Sequence, residues 1–203
     1  QVYDTPTSAF TVNSPVCVSE DATITYSGNA PANATYNWSF DGGTIVSGTG
    51  QGPYTVNWNT AGSKNITLQV DLGSCSSPVT TQTVTVNALP TVTVSPDVAI
   101  CEGASTTLTA AGANSYTWSP TTGLSGSAGA TVTASPTTTT NYVLTGTSNG
   151  CSNVQLVTVT VNPMPTVRVN PTSASVCSGT TTTFTASGAT SYAWSPSTDL
   201  SAT

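Results

Sequence analysis

The chain has 203 residues, a net charge of -6 and only 5% charged side chains, with Lys64 and Arg168 as its sole cations. Two cations cannot form a stripe along a phosphate backbone or a basic face toward anionic lipid, so nucleic acid and a basic membrane-surface patch are excluded. There is no histidine, which removes serine–histidine and cysteine–histidine nucleophile pairs and every histidine metal ligand.

Hydrophobic residues make up 36% of the chain, and they are patterned, which separates it from disordered sequences of low hydrophobicity and high charge. The abundant valine and threonine favour strands. No apolar run approaches the ~20 residues of a membrane-spanning helix, so no membrane insertion is expected. The opening residues Gln1-Val2-Tyr3-Asp4 lack the charged start and apolar stretch of a signal peptide. Any export signal is therefore expected to be already removed or to lie outside this fragment.

Read in order, the chain is a repeat. Residues 1–5 are expected to end a preceding domain or to form a linker, since Val2 stands where Val86 and Val161 stand. A first domain is expected over 6–89, with strands at 22–27, 35–40, 44–47, 54–58, 65–70 and 79–86. A second is expected over 90–164, with strands at 91–94, 105–111, 115–118, 130–134, 141–145 and 154–161. The N-terminal part of a third, truncated domain follows over 165–203. Domains 2 and 3 match at a fixed offset of 76 residues, with Cys101 on Cys177, Gly112 on Gly188, Trp118 on Trp194 and Leu124 on Leu200.

Each domain carries one stretch in which large aromatics alternate with small residues: Tyr36-Asn37-Trp38-Ser39-Phe40, Tyr116-Thr117-Trp118 and Tyr192-Ala193-Trp194. A period of two is that of a strand with one buried face. Trp38, Trp58, Trp118, Trp194, Tyr116, Tyr142 and Tyr192 are accordingly expected in the cores rather than on a carbohydrate-binding platform. Tyr142 could also make a tyrosine-corner hydrogen bond. Six or seven short strands per domain, with no helical periodicity, predict an all-β chain of tandem immunoglobulin-like β-sandwiches. Short proline-containing seams at 86–90 and 161–165 predict a semi-rigid rod, with Leu89 and Met164 plugging the junctions.

The five cysteines are Cys17, Cys75, Cys101, Cys151 and Cys177. None are close enough for a C-x-x-C motif. They fall in step with the repeats, as two pairs and one left over. This predicts one disulfide per domain, Cys17–Cys75 and Cys101–Cys151, with the partner of Cys177 missing, in an oxidising extracellular setting.

No cofactor is expected. Glu20, Asp21 and Asp41 are the candidates for a calcium site, because calcium takes oxygen ligands, but no D-x-D-x-D-G loop accompanies them and solvated turn residues are the plainer reading. Asp199 belongs to the same short list of carboxylates, and no cleft for a two-carboxylate glycosidase can be argued. The three N-x-S/T matches at Asn33, Asn37 and Asn65 are chance occurrences in an Asn- and Thr-rich chain.

Two resemblances emerge from the residues. Tyr36-x-Trp38-x-Phe40-Asp41-Gly42-Gly43 with Val56-x-Trp58 and Ala61-Gly62 resembles a PKD-like domain, with Ile66 in place of that family's usual tyrosine. Cys101-Glu102-Gly103, the stretch from Ser115 to Pro120, Ala134-Ser135-Pro136 and Asn149-Gly150-Cys151 resemble the immunoglobulin-like repeats of secreted Bacteroidota proteins. That resemblance implies a very large surface adhesin or gliding-associated protein exported by type IX secretion. The first expectation is thus a non-enzymatic structural spacer of a cell-surface adhesin or filament. The alternatives are polysaccharide-binding accessory modules of a secreted enzyme, and a self-assembling filament subunit whose third domain is completed by another chain. The expected partner classes are surface glycans, the secretion machinery and further copies of the chain.

Overall fold

The computed structural model describes residues 4–196, 198, 200 and 201. The reading of Gln1-Val2 as a strand end, and Asp199, lie outside the described residues. Every regular element among the described residues is a strand.

The first nine strands are β1 (Phe10–Val12), β2 (Val16–Cys17), β3 (Ala22–Tyr26), β4 (Thr35–Ser39), β5 (Thr44–Ser47), β6 (Tyr54–Asn57), β7 (Gly62–Leu72), β8 (Cys75–Ser76) and β9 (Thr80–Asn87). They form two sheets, β1-β3-β6-β5 and β2-β9-β7-β4, with β8 hairpinned onto β7. Alternation places one row of each inward: Ile66, Leu68 and Val70 of β7, Val84 and Val86 of β9, Ile24 of β3 and Val56 of β6 are all buried. Phe10, Trp38, Phe40 and Tyr54 close one part of this core through ring contacts at 5.0–5.7 Å, a separation at which aromatic pairs attract.

The next seven strands repeat the plan: β10 (Thr93–Val94), β11 (Val98–Cys101), β12 (Thr106–Ala111), β13 (Ser115–Ser119), β14 (Thr131–Ala134), β15 (Thr140–Ser148) and β16 (Cys151–Asn162). Their sheets are β10-β12-β14 and β11-β16-β15-β13. Leu108, Trp118, Val132, Tyr142, Leu144, Val157 and Val159 make one core between them. Two antiparallel-dominated sheets facing each other over such a core are the immunoglobulin-like sandwich.

The third module shows only β17 (Arg168–Asn170) and β18 (Thr185–Ser187) among its described residues. Val169 faces Ala186, the same pairing as Val94 with Ala110 in the second domain. Gly112 and Gly188 sit in matching tight spots, at φ of 91° and 95°. A Cβ on either would lie 1.9 Å from a backbone oxygen, of Thr91 or Thr166 respectively. The sequence repeat is therefore a repeat of backbone geometry.

Three expectations change here. Strands β1, β2, β8 and β11 were not foreseen, because two- to four-residue strands carry too little alternation to stand out. Tyr192 was expected in a core strand, but residues 191–194 make no ladder and Tyr192 is 37% exposed. Leu89 and Met164, expected as junction plugs, are 44% and 62% exposed; at Leu89 the junction is held by polar groups and a covalent bond instead.

Candidate functional site at the domain junction

The junction is built from two turns. On the first domain, β2 runs parallel to β9, with Val16 beside Val86 and Cys17 beside Asn87. The chain then turns sharply: Glu20 N donates to the Cys17 carbonyl at 2.9 Å, and the Glu20 carboxylate accepts from the Cys17 N–H at 2.8 Å. On the second domain, the β15–β16 hairpin turns through Asn149 and Gly150 at φ of 51° and 81°. Asn-Gly suits such a turn, since both central residues of a type I′ turn need positive φ. Asn87 Nδ2 donates to the Asn149 carbonyl at 2.9 Å, and Asn153 Nδ2 donates to the Pro90 carbonyl at 3.1 Å.

Between the turns lies the disulfide. Cys17 is bonded to Cys151, with Cα atoms 5.7 Å apart and a sequence separation of 134. Cys75, Cys101 and Cys177 are free. The expected Cys17–Cys75 and Cys101–Cys151 pairs are both incorrect, and the short parallel strands explain why. Cys101 sits level with Asn162, the last residue of β16, whereas Cys151 is its first. Eleven residues of strand at about 3.3 Å each put the two cysteines roughly 36 Å apart, far beyond the ~7 Å limit for Cα atoms in a bridge. The first domain repeats the arrangement: Cys17 is level with Asn87 at one end of the sandwich, and Cys75 caps the opposite end beside Leu72. A cysteine at the exit end of one domain can reach only the hairpin at the entry end of the next.

This arrangement has a direct chemical readout. Without reductant, an alkylating agent is expected to label three cysteines, Cys75, Cys101 and Cys177, once the chain is unfolded. With reductant it labels all five. A single label without reductant, as two intradomain bridges would give, would exclude the junction bond. Intact mass decides between them.

The expected core aromatics divide. Trp58, Trp118 and Tyr142 are buried. Trp58 Nε1 donates to the Phe40 carbonyl at 2.8 Å, and Trp118 Nε1 to the Gly129 carbonyl at 3.0 Å, so neither leaves a buried donor unpaired. Tyr142 donates to the Thr122 carbonyl at 2.8 Å, a tie to a turn 20 residues upstream. Trp38 and Tyr116 are half-buried at the core margin. The Tyr116 hydroxyl accepts from the Ala113 N–H at 2.8 Å, and the Tyr192 hydroxyl accepts from the Ala189 N–H at 2.7 Å. These two tyrosines brace the turn before their own stretch, a role that alternation alone does not reveal. Trp194 is half-buried.

Burial pushes the phenols of Tyr142, Tyr54 and Tyr36 above the ordinary tyrosine value of 10.0, with neighbouring Tyr26 adding to the effect at Tyr36. A phenol that holds its proton more tightly when folded contributes stability that is whole below its unfolded pKa and is lost as pH climbs through the folded one. The denaturation midpoint is therefore expected to start falling near pH 10. For the second domain, Tyr142→Phe should flatten that fall, as read by urea titration between about pH 9 and 11. An unchanged alkaline slope in the variant would show that Tyr142 is not its source.

The carboxylates considered for calcium are dispersed. Glu20 caps the Cys17 turn, Asp21 accepts from Asn57 at 2.9 Å, and Asp41 accepts from the Asn65 N–H at 2.9 Å. Among the described residues no three His, Cys, Asp or Glu side chains gather as a metal-binding group.

No protein-family model matches the chain, and no curated protein matches it. Solved structures do. A three-domain I67–I69 fragment of titin aligns over 81% of this chain and 68% of its own, at 12% identity and a TM-score of 0.43. A C-terminal fragment of intimin, solved with the intimin-binding domain of its translocated receptor, aligns over 81% and 67%, at 14% identity and 0.45. The D00–D0 domains of intimin align over 73% and 96%, at 18% identity and 0.34. These are likenesses of fold only. The assignment to tandem immunoglobulin-like sandwiches rests on the sheet order and cores described above.

Proposed function

We propose that the chain is a non-enzymatic structural segment of a large extracellular bacterial surface adhesin, serving as a covalently braced spacer. The observation that carries this reading is the Cys17–Cys151 bond, which joins two successive sandwiches across their junction. A disulfide within each domain would stabilise that domain; a disulfide between domains fixes their spacing and shares load between them. Disulfides persist in oxidising compartments, which supports an extracellular location. The nearly uncharged, hydroxyl-rich surface offers trypsin-like proteases only Lys64 and Arg168, and Lys64 lies within β7, paired with Val84 of β9.

The finer attribution, to a gliding-type Bacteroidota protein exported by type IX secretion, is supported by the resemblance of the residues around Cys101, Trp118 and Cys151. Under that reading the partners are surface glycans, the secretion machinery or other copies of the protein. The test is replacement. In the native surface protein, residues 6–164 are exchanged for two unrelated immunoglobulin-like domains of similar length. A spacer tolerates the exchange, so surface display and attachment should both be retained. Loss of attachment with display intact would mean that these domains bind a ligand, and the spacer reading would fail.

A further inference from the structure

The outer face of one sheet in the second domain differs from its counterpart in the first. In β15 and β16, Tyr142, Leu144, Val157 and Val159 fill the core, and strand alternation turns Val143, Val154 and Leu156 to the opposite face. There Val143 stands opposite Leu156, and Thr145 opposite Val154. Leu156 is 66% exposed and Val154 54%. Trp118 pairs with Leu144 as Trp38 pairs with Leu68, which fixes the matching place in the first domain. The residues facing each other there are Thr67 and Thr81. The same place in the same fold is apolar in one domain and hydroxylic in the other.

Charge sets this face apart as well. β11, β13, β15 and β16, which make up the sheet, contain no charged residue. The corresponding face of the first domain carries Asp71, whose carboxylate accepts from Asn37 Nδ2 at 2.7 Å. A charged partner docking on the second domain's face would lose hydration and find no counter-charge. A neutral β-face bearing apolar and hydroxyl groups is the chemistry that fits, and the chain supplies that surface itself. Strands of these lengths at their usual spacings present roughly 500 Å² per face, so two copies would cover about 1,000 Å² in all. That is the lower limit for a specific interface and lies in the range of weak, reversible pairs.

We propose that two copies of the chain pair face to face through the outer β11-β16-β15-β13 sheets of their second domains, about a two-fold axis at the Val143–Leu156 pair. Each copy then covers the other's apolar side chains, and the threonine hydroxyls around them exchange hydrogen bonds at the rim. An isologous contact closes on itself, so the assembly stops at two chains. Sheets packed this way keep their strands within about 30° of each other, which sets the two second domains side by side. The pairing is independent of the spacer reading, which rests on the Cys17–Cys151 bond.

Sedimentation equilibrium on the intact, oxidised 203-residue chain tests this. Between about 10 μM and 1 mM the average mass should climb from one chain toward two and no further. Raising the salt should strengthen the pairing, because each chain carries a net charge of -6 while the contact itself is neutral. Leu156→Asp should weaken the pairing at least about tenfold. Because that side chain is exposed, the melting temperature of the second domain should hold. Thr67→Asp, on the same face of the first domain, should leave the pairing unchanged. Mixing Leu156→Asp with Leu156→Lys should restore an association that neither variant shows alone, since the two-fold axis brings the opposite charges together. Masses beyond two chains, equal losses in Leu156→Asp and Thr67→Asp, or a mixture no better than its components would each overturn the proposal. So would a chain still monomeric at about 1 mM, which would leave the face to a different protein.

Discussion

Stretched between its ends, a single oxidised chain is expected to release roughly 440–480 Å less length than the same chain reduced, at 3.3–3.6 Å per residue. The bridge closes a loop of 134 residues. Load entering at the N-terminus reaches Cys17, crosses the sulfurs to Cys151 and leaves along β16. Residues 18–150 hold most of both cores but lie off the load path, so that part of the sandwiches can loosen without paying out chain. Adding a reducing agent during the pull should release the hidden length in one step. Two intradomain bridges would instead give two steps, of about 200 and 170 Å. Atomic-force spectroscopy separates these outcomes, and equal lengths with and without reductant would contradict the bridge outright.

The second large effect concerns two tryptophans that look alike. Trp118→Ala is expected to cost the second domain about 3–5 kcal/mol, the usual range for deleting a buried aromatic. In a domain of this size that lowers its melting temperature by roughly 15–30 °C. The first domain, with its separate core around Trp58, should keep its own transition. Trp194→Ala, at the matching position, should cost less than about 1 kcal/mol, because Trp194 lines an open cleft where Trp118 is 2% exposed. Calorimetry on the two variants checks both statements. Comparable losses at the two sites would mean that the third module buries its tryptophan after all.

Much of the molecule was legible before any coordinates. The long strands β7, β9, β12, β15 and β16 announced themselves through alternation, since each has one buried row and enough residues to show it. The offset of 76 residues located equivalent positions, and the backbone agrees at Gly112 and Gly188, down to the oxygen that each approaches. The junction was misread for one specific reason. Pairing cysteines by spacing treats a domain as a bag of residues, whereas β2 and β11 carry their cysteines to the far end of the sheet. A parallel pairing of two to four residues leaves no periodic trace in sequence. Tyr192 was misjudged in a related way: its spacing fits a buried row, but it is 37% exposed and its hydroxyl is spent on the turn three residues upstream.

Taken alone, the sequence determined that this is an all-β chain of repeated sandwiches, because strand alternation and turn chemistry are local properties written residue by residue. Which cysteines meet, and which of two equivalent tryptophans is buried, depended on groups more than 100 residues apart or on the presence of a covering sheet. Only the tertiary structure decides such matters, since a disulfide needs two Cα atoms within ~7 Å and burial needs something on the other side.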